Sequence, residues 1–147
     1  MVAKISESIV VRRPLSDVAP VATDPHVLLP LIAGLGRFAF IADDPDGSQQ
    51  WDMFLDIGAI HVGGRVRVLT DGRVLTWQSE RGTRHTMRVE VTEDEAGAEV
   101  SMRMDVQLGG LLLGRAAEFI ARGIAGRHLV AGLEQLRHHL EFGPGKE

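Results

Sequence analysis

The chain has no cysteine among its 147 residues, which excludes disulfides, thiolate metal sites and a cysteine nucleophile together. Lysine is nearly as scarce: of 16 basic residues only Lys4 and Lys146 are lysines, a bias of lineage or codon usage before it is one of function. Strong charge of either sign is missing too. A formal net charge of −4 argues against an electrostatic nucleic-acid binder, and no nucleic-acid partner is expected. No apolar run approaches the roughly 18–20 residues of a membrane span. The stretch Met1 to Glu7 lacks the apolar core of a signal peptide. A cytoplasmic protein without a transmembrane segment is expected.

What is present is ordinary for a globular protein: 44% hydrophobic and 24% charged residues. This length is enough to bury a core without staples. One domain over residues 1–142 is predicted, followed by a flexible tail, Gly143-Pro144-Gly145-Lys146-Glu147.

Periodicity divides the chain into layers. Ile5 to Arg12 reads as a first strand, ended by Arg13-Pro14. Val18, Val21 and Ala22 give a short helical stripe, with Pro20 limiting its length. Thr23-Asp24-Pro25 starts a second short helix, an N-cap candidate followed by proline, and Gly34-Leu35-Gly36 ends it. Six strands then follow in a meander, with turns at Asp43–Gly47, Gly58, Asp71-Gly72, Arg81-Gly82 and Glu93–Gly97. Gly63-Gly64, inside one strand, predicts a bulge or a close backbone approach.

The last segment, Leu111 to Phe142, is the only one with sustained helical periodicity. Its second half carries one stripe, Leu129, Leu133, Leu136 and Leu140. Its first half carries another, Leu112, Leu113, Ala116, Phe119 and Ile120, about a quarter turn away. The helix must therefore bend near Gly123–Gly126, curve over a twisted sheet, or break. The fold class is α+β, with a long helix lying across an antiparallel sheet.

This order of elements is that of the helix-grip fold: a seven-stranded antiparallel sheet wrapped around a long C-terminal helix, with two short helices after strand 1. The chain resembles the polyketide cyclase/dehydrase-like branch of the START-related (SRPBCC) superfamily over almost its whole length. The resemblance rests on Ser8-Ile9-Val10-Val11-Arg12-Arg13-Pro14-Leu15-Ser16-Asp17-Val18, the Thr23-Asp24-Pro25 corner, the Leu75-Thr76-Trp77 strand and the terminal helix. It departs at Leu28-Leu29-Pro30, where members often carry a tryptophan. A narrower likeness, at Asp105-Val106-Gln107-Leu108-Gly109-Gly110 and the helix after it, is to small members known as toxins of toxin–antitoxin pairs. That likeness implies an antitoxin-like protein partner. The wider one implies a cavity between helix and sheet that takes a lipid, a polyketide or a similar apolar molecule, with no cofactor.

The residues expected to line such a cavity are Phe38, Phe40, Trp51, Met53, Trp77, Met87, Met102 and Met104 from the sheet, with Phe119, Ile120 and Ile124 from the helix. Methionine adapts to varied shapes and suits a permissive pocket. The same periodicity is also the ordinary signal of a filled core. His85 falls on the apolar side of its strand and is the one catalytic candidate, as acid/base of a cyclase or dehydratase. No inward carboxylate is read beside it. His128, His138 and His139 lack the spacing of a metal site, and no metal is expected. Arg65, Arg67, Arg84, Arg88 and Arg103 fall on the outward face together with Glu80, Glu90 and Asp105. An exposed part of the Leu111–Phe119 stripe would serve as a homodimer or membrane-touching patch.

Overall fold

A computed structural model describes the backbone of residues 2–32, 36–57, 60–107 and 115–143, and their side chains except at 57, 60 and 115–122. The elements follow the order β1 (Val2–Val11), α1 (Leu15–Ala22), α2 (Pro25–Leu31), β2 (Gly36–Asp43), β3 (Gln49–Ile57), β4 (Ile60–Thr70), β5 (Val74–Ser79), β6 (His85–Asp94), β7 (Gly97–Gln107) and α3 (Arg115–Phe142). The seven strands form one antiparallel sheet in the order β1-β7-β6-β5-β4-β3-β2. This is the helix-grip arrangement: a meander from β2 to β7, with β1 returning to pair along β7.

Strict alternation builds the sheet's buried face. Met87, Val89 and Val91 of β6 stand opposite Met104, Met102 and Val100 of β7, and all six are buried. Ile5 of β1 continues that layer opposite Met104. Strand β1 starts earlier than the sequence predicts, at Val2, because Val2 and Ala3 pair with Gln107 and Val106.

The two short helices close one end. Asp24 caps α2 by accepting a hydrogen bond from the His26 backbone N–H at 3.0 Å, with Pro25 in the first turn. Their prolines, Pro20 and Pro30, sit inside helices of eight and seven residues.

α3 runs unbroken through Gly123 and Gly126, so of the three alternatives the break is ruled out. It packs chiefly on β1. Leu129, Leu133 and Leu136 are fully buried and Leu140 half-buried, as the leucine stripe requires. Each fully buried leucine is worth about 1.5–3 kcal/mol. The first stripe of α3 (Leu112, Leu113, Ala116, Phe119, Ile120) lies outside the described side chains.

The Gly63-Gly64 pair marks a close backbone approach. The Thr83 N–H donates to the Gly63 carbonyl at 2.9 Å, and the Arg65 N–H donates to the Arg81 carbonyl at 3.1 Å. Gly64 has φ +136°, and a Cβ there would collide with the Arg81 carbonyl. Strand β4 is thereby tied to the β5–β6 turn.

Candidate functional site

The inward face is not finished evenly. Between α2, β2 and β3 a half-open apolar pocket of about 350 Å³ is lined by Leu29, Pro30, Gly36, Arg37, Phe38 and Trp51. Phe38 and Phe40 come from edge strand β2, opposite Met53 and Trp51 of β3. Phe38 is half-buried, and Phe40 remains 41% exposed although it stands on the inward face.

A ring cluster stands beside this mouth and shares Trp51 with it. Phe40 meets Trp51 edge-on at 5.5 Å between centroids, and His26 of α2 lies 4.9 Å from Phe40 and 5.2 Å from Trp51. The Trp51 indole N–H donates to the Gln49 side-chain carbonyl at 2.9 Å, so its polar edge is satisfied. One layer deeper, Phe38 meets Trp77 edge-on at 6.5 Å.

Trp77 leads to His85. The indole N–H donates to His85 Nε2 at 3.1 Å, and His85 Nδ1 lies 2.9 Å from the Thr83 carbonyl. An indole only donates and a carbonyl only accepts, so the neutral imidazole carries its proton on Nδ1. Burial pushes the His85 pKa below its ordinary value, and the Thr83 carbonyl opposes that shift in part. Both ring nitrogens are therefore occupied by protein groups, and the imidazole is held neutral. A general acid/base needs a nitrogen within reach of substrate. In this arrangement His85, the expected acid/base, accepts from Trp77 and holds the Thr83 carbonyl.

The other expected residues divide by place. Phe38 and Trp51 line the mouth, and Phe40 stands beside it against Trp51. Met53, Trp77, Met87, Met102 and Met104 lie inward but are packed closed, each at most 2% exposed. Ile124 is half-buried on α3, and the side chains of Phe119 and Ile120 lie outside those described. His128 Nδ1 approaches the Ile124 carbonyl at 2.9 Å, one turn back along the helix. Among the described residues, no three His, Asp or Glu side chains are grouped to hold a metal ion.

Two further residues stand outside the sequence expectation. His26 joins the ring cluster, and nothing in a seven-residue helix signals that. Glu7 stands on the inward face between Ile5 and Ile9, opposite Met102, with its carboxylate against Gly126 of α3. Its parity with Ile5 and Ile9 is a usable signal.

Comparison with known proteins decides the family. The model of the polyketide cyclase / dehydrase and lipid transport family matches residues 2–141. The chain belongs to this family. No curated protein matches the sequence. Solved structures show how the family's fold recurs at low identity. A protein from Thermus thermophilus superposes with a TM-score of 0.75 at 12% identity, covering 95% of this chain and 97% of the other. The Zhui aromatase/cyclase from Streptomyces sp. R1128 superposes with 0.71 at 16%, over 96% and 94% of the two chains. A START superfamily protein from Mycobacterium smegmatis gives 0.71 at 14%, over 94% and 97%. At these identities the likeness is one of fold. Among the described residues, no helix is long and apolar enough to cross a membrane.

Proposed function

We propose that this member of the family binds an apolar small molecule between the sheet and the C-terminal helix, entering at the mouth between α2, β2 and β3. The observation that carries this reading is Phe40: an inward-facing ring that is 41% exposed, beside Phe38, Trp51 and an apolar opening. An apolar ring held open to water at a concave site gains by taking an apolar partner.

Behind the mouth the floor is rich in methionine, whose three rotatable bonds let a packed layer re-form around a guest. The family's description joins cyclases with lipid transport, and one solved neighbour is an aromatase/cyclase. Both support a lipid or polyketide as the class of ligand. Binding without turnover is favoured over a cyclase or dehydratase reaction, because His85 has both nitrogens engaged. The toxin reading and a homodimer gain no support from the family match. The likeness to toxins falls partly on residues 108–114, outside those described.

The test is thermal unfolding against a panel of fatty acids and aromatic polyketides. A ligand that binds only the folded state adds about 2.7 kcal/mol at ~100 times its Kd. A rise in Tm with one apolar class, roughly halved by Phe40→Ser, supports the reading. No rise with any class sinks it.

A further inference from the structure

The outer face of the sheet carries a second concavity, of about 440 Å³, spanning β4 to β7. There Arg88 of β6 stands directly opposite Arg103 of β7, and Thr76 of β5 stands opposite Arg88 on the other side. Thr86, Gln78 and Asp105 complete the nearest lining. Like charges directly opposite one another destabilise an antiparallel pair.

The local carboxylates offset that repulsion only in part. Arg88 Nε lies 3.3 Å from Glu90, and Arg103 Nε lies 3.8 Å from Asp105 Oδ1, beyond hydrogen-bond reach. Asp105 Oδ1 is itself buried with no hydrogen-bond donor among the described residues. The concavity, which Arg67 and Glu80 also line, thus gathers two adjacent guanidinium groups, two hydroxyls and one carboxylate oxygen short of a donor.

We propose that this outer concavity binds a soluble phosphate ester that carries a neighbouring hydroxyl group. The phosphate bridges Arg88 and Arg103, whose planar donors match its oxygens. The Thr76 and Thr86 hydroxyls donate to the remaining oxygens; Arg103, drawn onto the phosphate, uncovers the buried Asp105 Oδ1, to which the ester's own hydroxyl donates. A concave site of this size suits a small molecule better than a flat bilayer surface. It lies on the opposite face of the sheet from the apolar mouth, so either site can fail without the other.

The test uses NMR titration of the full chain in phosphate-free buffer, with glycerol phosphate and inorganic phosphate as probes. A parallel arm sediments the protein with phosphatidic acid vesicles. Glycerol phosphate is expected to move the Arg88 and Arg103 amide resonances saturably, to bind more tightly than inorganic phosphate, and to weaken with salt. Arg88→Gln combined with Arg103→Gln should weaken it by about tenfold or more. The same variant, relieved of like charges, should melt no lower than wild type without ligand, which separates lost binding from lost fold. Four results overturn the proposal: no saturable shift, undiminished binding by the variant, equal affinity for the two probes, or binding to vesicles alone. A variant that melts well below wild type overturns the strained-pair argument.

Discussion

One buried sheet face is finished in two different ways. Over β1, β7 and β6 it is sealed: the buried Leu129, Leu133 and Leu136 of α3 close mainly on β1, α1 closes on β6 and β7, and Ile5, Val100 and Met102 of the sheet are buried. At edge strand β2 the same face is open, with Phe38 half-buried, Phe40 exposed and α2 supplying the nearby His26 ring, although Trp51, Met53 and Leu55 of β3 beside it are buried. Both halves obey the same alternation of apolar and polar residues. Among the described residues the difference lies in what stands opposite: α3 and α1 over most of the face, with α3 reaching β3, and only the seven-residue α2 beside the β2 edge. Stability is therefore expected to reside mainly in the sealed half, and the proposed binding lies at the open one.

The largest effect that would sharpen this contrast is at Leu133. Leu133→Ala should cost about 2–5 kcal/mol in urea unfolding, through lost burial and a residual cavity. Ligand affinity of the folded fraction should stay unchanged. A small loss would show that the leucine layer is not what seals the sheet.

His85 sits between the halves, and His85→Ala should cost about 1–3 kcal/mol by leaving the Trp77 N–H without its acceptor. It also sets a pH dependence. Its folded pKa lies below 6.5, so the unfolded chain takes up the proton first as pH falls. Its contribution is fully present above that value and is lost progressively as pH drops toward the lowered folded pKa. Urea unfolding of wild type and His85→Gln on either side of pH 6.5 isolates it, because the variant should lack this part of the acid slope.

At the mouth the expectation reverses. Phe40→Ser should cost only about 1–2 kcal/mol of stability, because the ring is 41% exposed, yet weaken an apolar ligand by about tenfold. A stability loss as large as that of Leu133→Ala would erase the contrast. The smallest change is Gly126→Ala. The added Cβ would come 2.6 Å from Glu7 Oε2, the free end of a flexible side chain that can turn aside. Helix propensity favours alanine by about 1 kcal/mol, so thermal unfolding should show little change or a small gain.

Much of this is legible in the residues. The alternation Val100, Met102, Met104, Val106 names the inward face of β7, and Leu129, Leu133, Leu136 name the sealing face of α3. The glycine pair at Gly63-Gly64 announces a close approach, but its partner, the Arg81-Gly82 turn, is set by strand register and has no local signal. Phe40 shows the same limit: parity gives its side of the sheet, while its exposure depends on where α2 and α3 lie. For His85 the sequence places the ring inward and leaves out its partners. Trp77 reaches it because the β5–β6 register sets Trp77 beside Met87, two residues from His85. Glu7 is readable by parity alone and shows that a charged residue can follow an inward pattern.

An apolar guest that enters at the mouth must meet Trp51. The chain has two tryptophans, Trp51 at the mouth and Trp77 beneath it. Their indole N–H resonances, assigned with Trp51→Phe, can be followed while a ligand from the thermal panel is titrated. Entry at the mouth predicts a saturable shift of the Trp51 signal at the same Kd that the Tm series gives, with the Arg88 and Arg103 amides unmoved. A saturable ligand that leaves the Trp51 signal in place would contradict it.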